Sequence, residues 1–329
     1  MDLATPGTPE QYGDSDDLVR ALGPAGVWTE ALDHLPAAQA RDVVQELEDL
    51  GYFSLWLSEG MRREVFVNAS MLLGATRRMV VATGIANIWA RDPAAMTAAQ
   101  LTLTEAYDGR FLLGLGVSQA FVVEGKRGHV YSRPLEKMAS YLDEMDAVRY
   151  ESPAPARRPP RVMAAVGPKM IELAGRRTAG AHPYFVVPEH TADARAALGA
   201  GPALCPEQAV VLETDPDRAR AIARGYAEFF LRLPVYRNDL LKKRGFVESD
   251  FENGGTDRLI DAVVAWGDAD AVQSRVQAHL DAGADHVAVQ VLSPNRGEAP
   301  LKEWRELAPA LQACSGRTAD RAASGHPAA

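Results

Sequence analysis

Short apolar runs alternate with longer stretches of helical period along most of the chain. GVWT (26–29) reads as a strand. LPAAQARDVVQELEDLG (35–51) follows with Ala38, Val43, Val44, Leu47 and Leu50 at helical spacing and Gly51 as the stop. FSLWLS (53–58) is the next strand, VFVNASMLLGAT (65–76) a helix, MVVATGIANIW (79–89) a strand and PAAMTAAQLTLTEAYDG (93–109) a helix. Pro93 suits a first helical position and Gly109 the position just past the end. FLLGLGVS (111–118) closes this first half. The rhythm resumes with RVMAAV (161–166), the helix 168–180, HPYFVVP (182–188) as the sixth strand and the helix 191–199. AVVLET (209–214), the helices 215–233 and 268–284, and HVAVQVL (286–292) complete it.

Strands rich in Val, Ile and Leu without polar alternation are buried on both faces, as in a parallel sheet covered by helices. Eight such strands, each with a helical partner, predict a (β/α)8 TIM barrel over residues 24–314, with a two-domain doubly wound sheet as the competing architecture. Residues 1–23 read as a flexible segment and 315–329 as a disordered tail. Three stretches break the rhythm: 119–131, the proline-rich 151–160, and 234–267, which reads as inserted helix and loop.

Composition narrows the function. The chain has 329 residues, 47% of them hydrophobic, enough for a large core. A net charge of −9 argues against nucleic acid or an anionic membrane surface as partner. Two cysteines give no disulfide framework and no CxxC or Cys/His zinc set, so no metal is expected. The acidic N-terminus lacks the basic and apolar regions of a secretory signal, and no apolar run is membrane-spanning in length. The expectation is a cytoplasmic protein acting on a small molecule.

In a barrel, strand carboxyl ends and the loops after them build the active site. That rule selects Trp28; Glu59; Asn87, Trp89 and Arg91; Ser118 and Gln119; Gly167, Pro168, Lys169 and Met170; His182 and Tyr184; and Gln290. Gly167-Pro168 opens a helix whose free N–H groups favour an anion, although a plain turn is the simpler reading. No GxGxxG fingerprint or P-loop is present. Gly84 inside an apolar strand implies either a kink against something bulky or barrel packing alone. Glu59 reads as a solvated loop acid or a ligand-orienting group, and Arg91 as a partner for Asp92 or Asp108. His129 sits in the long loop within reach of a pocket. His34, His190 and His279 read as surface residues.

FSLWLSEG, VVATGIANIWARDP, DGRFLLGLGVS, VGPKMIELAGRRTAGAHPYFVVPEHT and AGADHVAVQVL, in register, resemble the luciferase-like superfamily. The resemblance spans roughly residues 24–312 and is strongest to actinobacterial oxidoreductases that use the deazaflavin coenzyme F420. It implies a cis peptide at Gly84-Ile85 behind the ring and a ring contact from Asn87. It implies a phosphate site at Gly167, Pro168, Lys169 and Met170 with the turn at Gly180-Ala181. It departs from the F420 dehydrogenases where an Asp-His pair would stand, since this chain has Glu59-Gly60, and at Val117, where the sugar-phosphate-oxidising members carry an acid. Glu59, His182 and Tyr184 are then the catalytic candidates. Trp28, Trp89, Ser118, Gln119 and His129 are the substrate-binding candidates. The resemblance implies hydride transfer between F420 and a small organic substrate by a homodimer. An FMN-dependent monooxygenase and a non-catalytic cofactor-binding protein are the alternatives.

Overall fold

The computed structural model describes residues 15–295 and 297–315. Eleven strand segments form one sheet. They are β1 (Ala25–Thr29), β2 (Ser54–Leu57), β3 (Val80–Thr83), β4 (Ala86–Asn87), β5 (Phe111–Gly116), β6 (Arg161–Met163), β7 (Gly180–Ala181), β8 (Ala203–Leu204), β9 (Glu207–Leu212), β10 (Ala265–Gly267) and β11 (Val287–Val291). Every pairing is parallel, with β1 between β2 and β11. Helices cover the outside: α1 (Ser15–Leu22), α2 (Ala37–Asp49), α3 (Val65–Leu73), α4 (Pro93–Ala106), α5 (Ala120–Gly125), α6 (Pro134–Asp146), α7 (Pro168–Arg177) and α8 (Pro188–Leu198). The remainder are α9 (Pro216–Leu231), α10 (Pro234–Lys243), α11 (Asp257–Val263), α12 (Ala269–Asp281) and α13 (Leu301–Gln312). No described helix is long and apolar enough to cross a membrane.

The ring of eight equal strands is corrected in three places. The strand expected over 79–89 is split into β3 and β4, with a cis Gly84-Ile85 peptide between them. The strand expected over 182–188 does not form. Pro183 has no N–H to give a ladder, Phe185 takes a left-handed φ of 55°, and the Phe185 N–H goes to the Glu207 carboxylate at 3.0 Å. The two-residue β7 stands in its place. Finally, the ladder runs as an open path from β10 to β8. Cys205 and Pro206 interrupt the chain between β8 and β9, and isolated bonds flank the break, Glu207 N to Pro183 O at 2.8 Å and Ala288 N to Pro206 O at 2.9 Å. The insertion 234–267 contains α10, a 3-10 turn over Glu248–Gly254, and α11, and its last residues are β10 on the edge of β9.

Residues 15–22, read from the sequence as part of a flexible leader, are helical. Leu18, Val19 and Leu22 are one apolar face, and they belong to one buried cluster with Trp56, Val80, Leu112 and Ala288 inside the strands. The helix therefore stoppers the barrel. Residues 1–14 and the tail 316–329 lie outside the described residues. Leu22 is fully buried in this stopper. Leu22→Ala should cost about 2–5 kcal/mol, measured as a loss of denaturation free energy. An unchanged midpoint would show that α1 is not part of the folded core.

Candidate active site

Aromatic and imidazole rings fill the middle of the barrel. Trp56, on β2, is fully buried, and its Nε1–H donates to His286 Nε2 at 3.0 Å. The Trp56 ring stacks on His182 at 4.4 Å and on His286 at 5.7 Å. His286 Nδ1–H donates to the Gly23 carbonyl at 2.8 Å, and His182 Nδ1–H donates to the Cys205 carbonyl at 2.6 Å. Burial holds both imidazoles neutral by pushing their pKa values down to about 4. The Nδ1 atom of His182 carries the proton, so Nε2 is a lone-pair acceptor, and it has no partner.

His182 borders a cavity of about 770 Å³ at the carboxyl ends of the strands, with Nε2 itself buried. Gly84 and Ile85 form part of the same wall. The Gly84 carbonyl accepts from Trp28 Nε1 at 3.0 Å, and the Ile85 carbonyl accepts from the Glu59 N–H at 3.3 Å. A Cβ on residue 84 would sit 2.8 Å from Trp28 Nε1 and 3.1 Å from His182 Nε2. Glycine there leaves open the face between these two groups, which is where a flat ring would need backbone. Ser118, Gln119 and Tyr184 complete the walls. At the far end Gly167 precedes α7 with no side-chain cap, and open space surrounds its Cα. Pro168, Lys169 and Met170 follow it along the rim. An uncapped N-terminus with a lysine beside it suits a phosphate.

The other sequence candidates take different places. Glu59 lines it but is no solvated acid. Its side chain is 5% exposed, and its carboxylate receives Arg91 through two nitrogens at 2.9 and 2.5 Å and the Asn87 N–H at 2.6 Å. Arg91 pairs with Glu59 and Glu64 in place of Asp92 or Asp108. Glu59 thus ties the end of β2 to β4 through the Asn87 N–H and Arg91. Asn87 is buried behind the wall with its Oδ1 on the Trp89 N–H, and its Nδ2 has no partner. Trp89 packs into the core and donates to the Val117 carbonyl, and His129 is exposed beside it, 6.0 Å between rings. Gly180 and Ala181 are strand residues away from the cavity. A Cβ on Gly180 would meet the Ala203 carbonyl oxygen at 2.2 Å, so strand packing explains this glycine. His190 and His279, expected at the surface, are buried. His279 bridges Thr191 and Gln208, and burial lowers its pKa to about 3.

A second chamber of about 830 Å³ shares Trp28, Glu30, Arg62, Tyr184 and Phe230 with the first. Phe121, Tyr226 and Phe229 add aromatic wall, and Lys126 and the Arg62–Glu30 pair (2.7 Å) add charge. Of the neighbouring cations, Arg127 reaches Glu59 at 4.0 Å and Arg63 is tied to the Leu35 carbonyl and Asn68. A further cavity of about 490 Å³, lined by Asp17, Val80, Phe111 and Pro155, opens at the amino ends of the strands, where barrel enzymes do not place catalysis.

Sequence reasoning missed Glu207. It begins β9, is fully buried, and burial raises its pKa to about 8. No local pattern marks it, because a strand-initial glutamate is ordinarily exposed. Its burial and that of the histidines set a pH dependence. A histidine whose folded pKa lies below about 6.5 contributes fully above that value and loses the contribution as pH falls towards its folded pKa. A carboxyl raised from about 4.3 does the reverse, contributing at low pH and losing it as pH rises. Between about pH 4.5 and 6.5, His182, His279 and His286 each add an upward slope of roughly 1.4 kcal/mol per pH unit and Glu207 one downward slope of that size. Denaturation midpoints should rise with pH over this interval, and Glu207→Gln should steepen the rise. A flat wild-type profile would contradict the neutral histidines.

The profile of the luciferase-like monooxygenases matches residues 20–286. A Mycobacterium tuberculosis protein assigned by name as a coenzyme F420-dependent oxidoreductase is 27% identical over 183 residues, 46% of this chain. The match spans about half, 53%, of that relative's own length. The 5,10-methylenetetrahydromethanopterin reductase of Archaeoglobus fulgidus is 25% identical over 82% of this chain and 94% of its own. A solved F420-dependent secondary alcohol dehydrogenase, with an F420-acetone adduct, superimposes with a TM-score of 0.69 at 16% identity, over 88% of this chain and 98% of that one. With the family profile covering most of its length and the parallel sheet common to that fold, this chain belongs to the luciferase-like monooxygenase family and is an enzyme.

Proposed function

We propose that the protein is an F420-dependent oxidoreductase that transfers a hydride between the deazaflavin and a small organic substrate. The observation that carries this reading is one cavity joining a flat backbone wall at Gly84-Ile85 to an uncapped helix N-terminus at Gly167. A planar ring with a phosphate-bearing tail has that shape and that charge. The names of the relatives support the same cofactor.

When bound, the deazaflavin supplies a two-electron hydride donor or acceptor. The chain supplies the rest. Gly84 and Ile85 would back the ring, with neutral His182 packed behind Gly84. Neutral His182 cannot serve as a proton donor there, because its one proton is held by the Cys205 carbonyl. Gly167, Pro168, Lys169 and Met170 take the phosphate. Trp28 and Tyr184, with rings 5.3 Å apart, stand between the two chambers and present the substrate. A homodimer belongs to this proposal. The apolar faces of α3 and α4 are largely used inside the chain, since Phe66, Ala69 and Leu72 of α3 and Met96 and Leu101 of α4 are buried and Val67 is left exposed.

Titration with oxidised F420 and with FMN, followed by absorbance, tests the cofactor. F420 should bind more tightly than FMN, and its affinity should fall as salt rises to about 1 M, where the Debye length is about 3 Å. Lys169→Glu should weaken F420 several-fold with thermal stability unchanged. Equal binding of both cofactors would favour the flavin monooxygenase. Binding of F420 without turnover of any substrate would favour a cofactor-carrying protein.

A further inference from the structure

Gln290 lies near the carboxyl end of β11. Val287 and Val289 belong to the outer cluster that also holds Val276 of α12 and Leu307 of α13, whereas Ala288 belongs to the inner one with Trp56. Two residues on from Ala288, Gln290 therefore points inward, at the mouth of the barrel. It is 8% exposed and lines the second chamber. Its Oε1 accepts from the Tyr184 hydroxyl at 2.8 Å, and Tyr226 shares its one proton between the Tyr184 oxygen at 3.0 Å and Oε1 at 3.4 Å. The two tyrosines thereby orient the amide. Its Nε2 has no hydrogen-bond partner among the described residues and, unlike Asn87 Nδ2 and His182 Nε2, is not shut off from open space. A nearly buried amide donor without an acceptor is costly unless a ligand supplies one.

The walls around this donor are aromatic. Phe121 reaches from α5 to meet Phe229 of α9 edge to face at 5.2 Å, and both rings stay more than 40% exposed. Exposed rings from two elements on one cavity suit an apolar ligand. One face of α9 lines the chamber through Ala221, Ile222, Gly225, Tyr226 and Phe229. Glycine inside a helix is unfavourable, and no described atom lies within 4 Å of where a Cβ on Gly225 would sit, so packing does not call for it. With Ala221 it leaves a flat strip beside Phe229. Charge does not select an ion, because Arg62 and Lys126 are matched by Glu30 and Glu298.

Resting on the oxidoreductase reading, we propose that the second chamber takes the substrate, that this is an uncharged multi-ring aromatic compound with a conjugated carbonyl, and that Gln290 selects it by donating Nε2–H to the carbonyl oxygen. The chamber's volume of about 830 Å³ lies in the upper part of the range for small-molecule sites, about 300–1,000 Å³. Aromatic walls hold a ring by its faces, so its polar group must stand at the ring edge. A conjugated carbonyl keeps its lone pairs in the ring plane, where a donor on the wall meets them. Trp28 and Tyr184 line both chambers, so a ring held at Gln290 abuts the cavity assigned to the cofactor.

The test uses the full chain and 6-propionyl-2-(dimethylamino)naphthalene, a flat neutral ketone whose emission reddens when its carbonyl is hydrogen-bonded. The control is 2-(dimethylamino)naphthalene, the same rings without the carbonyl. Wild type should bind both without F420. Gln290→Met removes the donor and should weaken the ketone about fivefold, shift its bound emission to the blue and leave the control unchanged. Gly225→Leu should raise the melting temperature, since leucine favours a helix over glycine, yet weaken both probes about tenfold by filling the strip. It leaves the tyrosine–amide hydrogen bonds intact, so the test stands even if Gln290→Met does not fold. Saturating F420 should leave the ketone bound, because the two ligands occupy different chambers. The proposal is overturned by absent binding in wild type, by ketone affinity that Gln290→Met leaves unchanged or lowers equally with the control, by unchanged binding in Gly225→Leu, or by displacement of the ketone by F420. Failure of F420 itself to bind would sink the oxidoreductase reading, while the probe results obtained without cofactor would stand.

Discussion

Trp56 is the residue on which the site depends. Its indole occupies the barrel axis, stacks on both His182 and His286, and donates its one N–H to His286. Each imidazole is left one free choice of proton position, and nearby carbonyls of Gly23 and Cys205 take that choice away. The outcome is a column of neutral rings with a single lone pair, His182 Nε2, unpaired at its upper end. A buried acceptor without a partner costs free energy, typically about 1–3 kcal/mol, and such groups concentrate where a ligand completes them. Below, α1 seals the column from solvent, so the dielectric stays low along its whole length.

Charge is arranged around this column by the same logic. The acids near the cavity are either neutralised or protonated. Glu59 is enclosed by Arg91 and a backbone N–H, and Glu207 keeps its proton because nothing positive compensates it. The two carboxyl groups, one just past the end of β2 and the other at the start of β9, therefore differ in state: Glu59 is ion-paired and Glu207 is held protonated by burial. The difference lies in the partner available to each. The net charge of −9 is carried mostly elsewhere, on helix faces and ion pairs such as Arg220 with Asp257 and Asp261. The rim of the cavity keeps Arg62 and Lys169.

The αβ alternation was legible because it depends on local pattern. Val- and Ile-rich runs, the Pro93 and Pro168 helix starts and the Asp215 cap all appear where the residues alone place them. The helix 15–22 has the spacing of an amphipathic turn, Leu18, Val19 and Leu22, but an acidic, proline- and glycine-rich leader in front of it masked the signal. The sixth strand failed for the opposite reason. Residues 182–188 are as apolar as a strand, yet Pro183 and the left-handed Phe185 turn the backbone out of the sheet so that its N–H reaches Glu207.

By itself, the sequence determined the parallel sheet, its helical cover, and the set of strand ends at which Trp28, Gly84, Gly167, His182 and Tyr184 converge. Those follow from periodicity and chain order, which are properties of neighbours along the chain. Tertiary structure alone decided the protonation and purpose of each polar group. Glu59, Glu207, His182 and His279 are ordinary titratable residues on paper. Which of them is a strut, a buried acid, an acceptor or a core crosslink depends on desolvation and on partners 20 or more positions away, such as Arg91, Phe185, Cys205 and Gln208. Pairwise electrostatics at a few ångströms has no signature in local order, and it becomes definite only when the strands are in register.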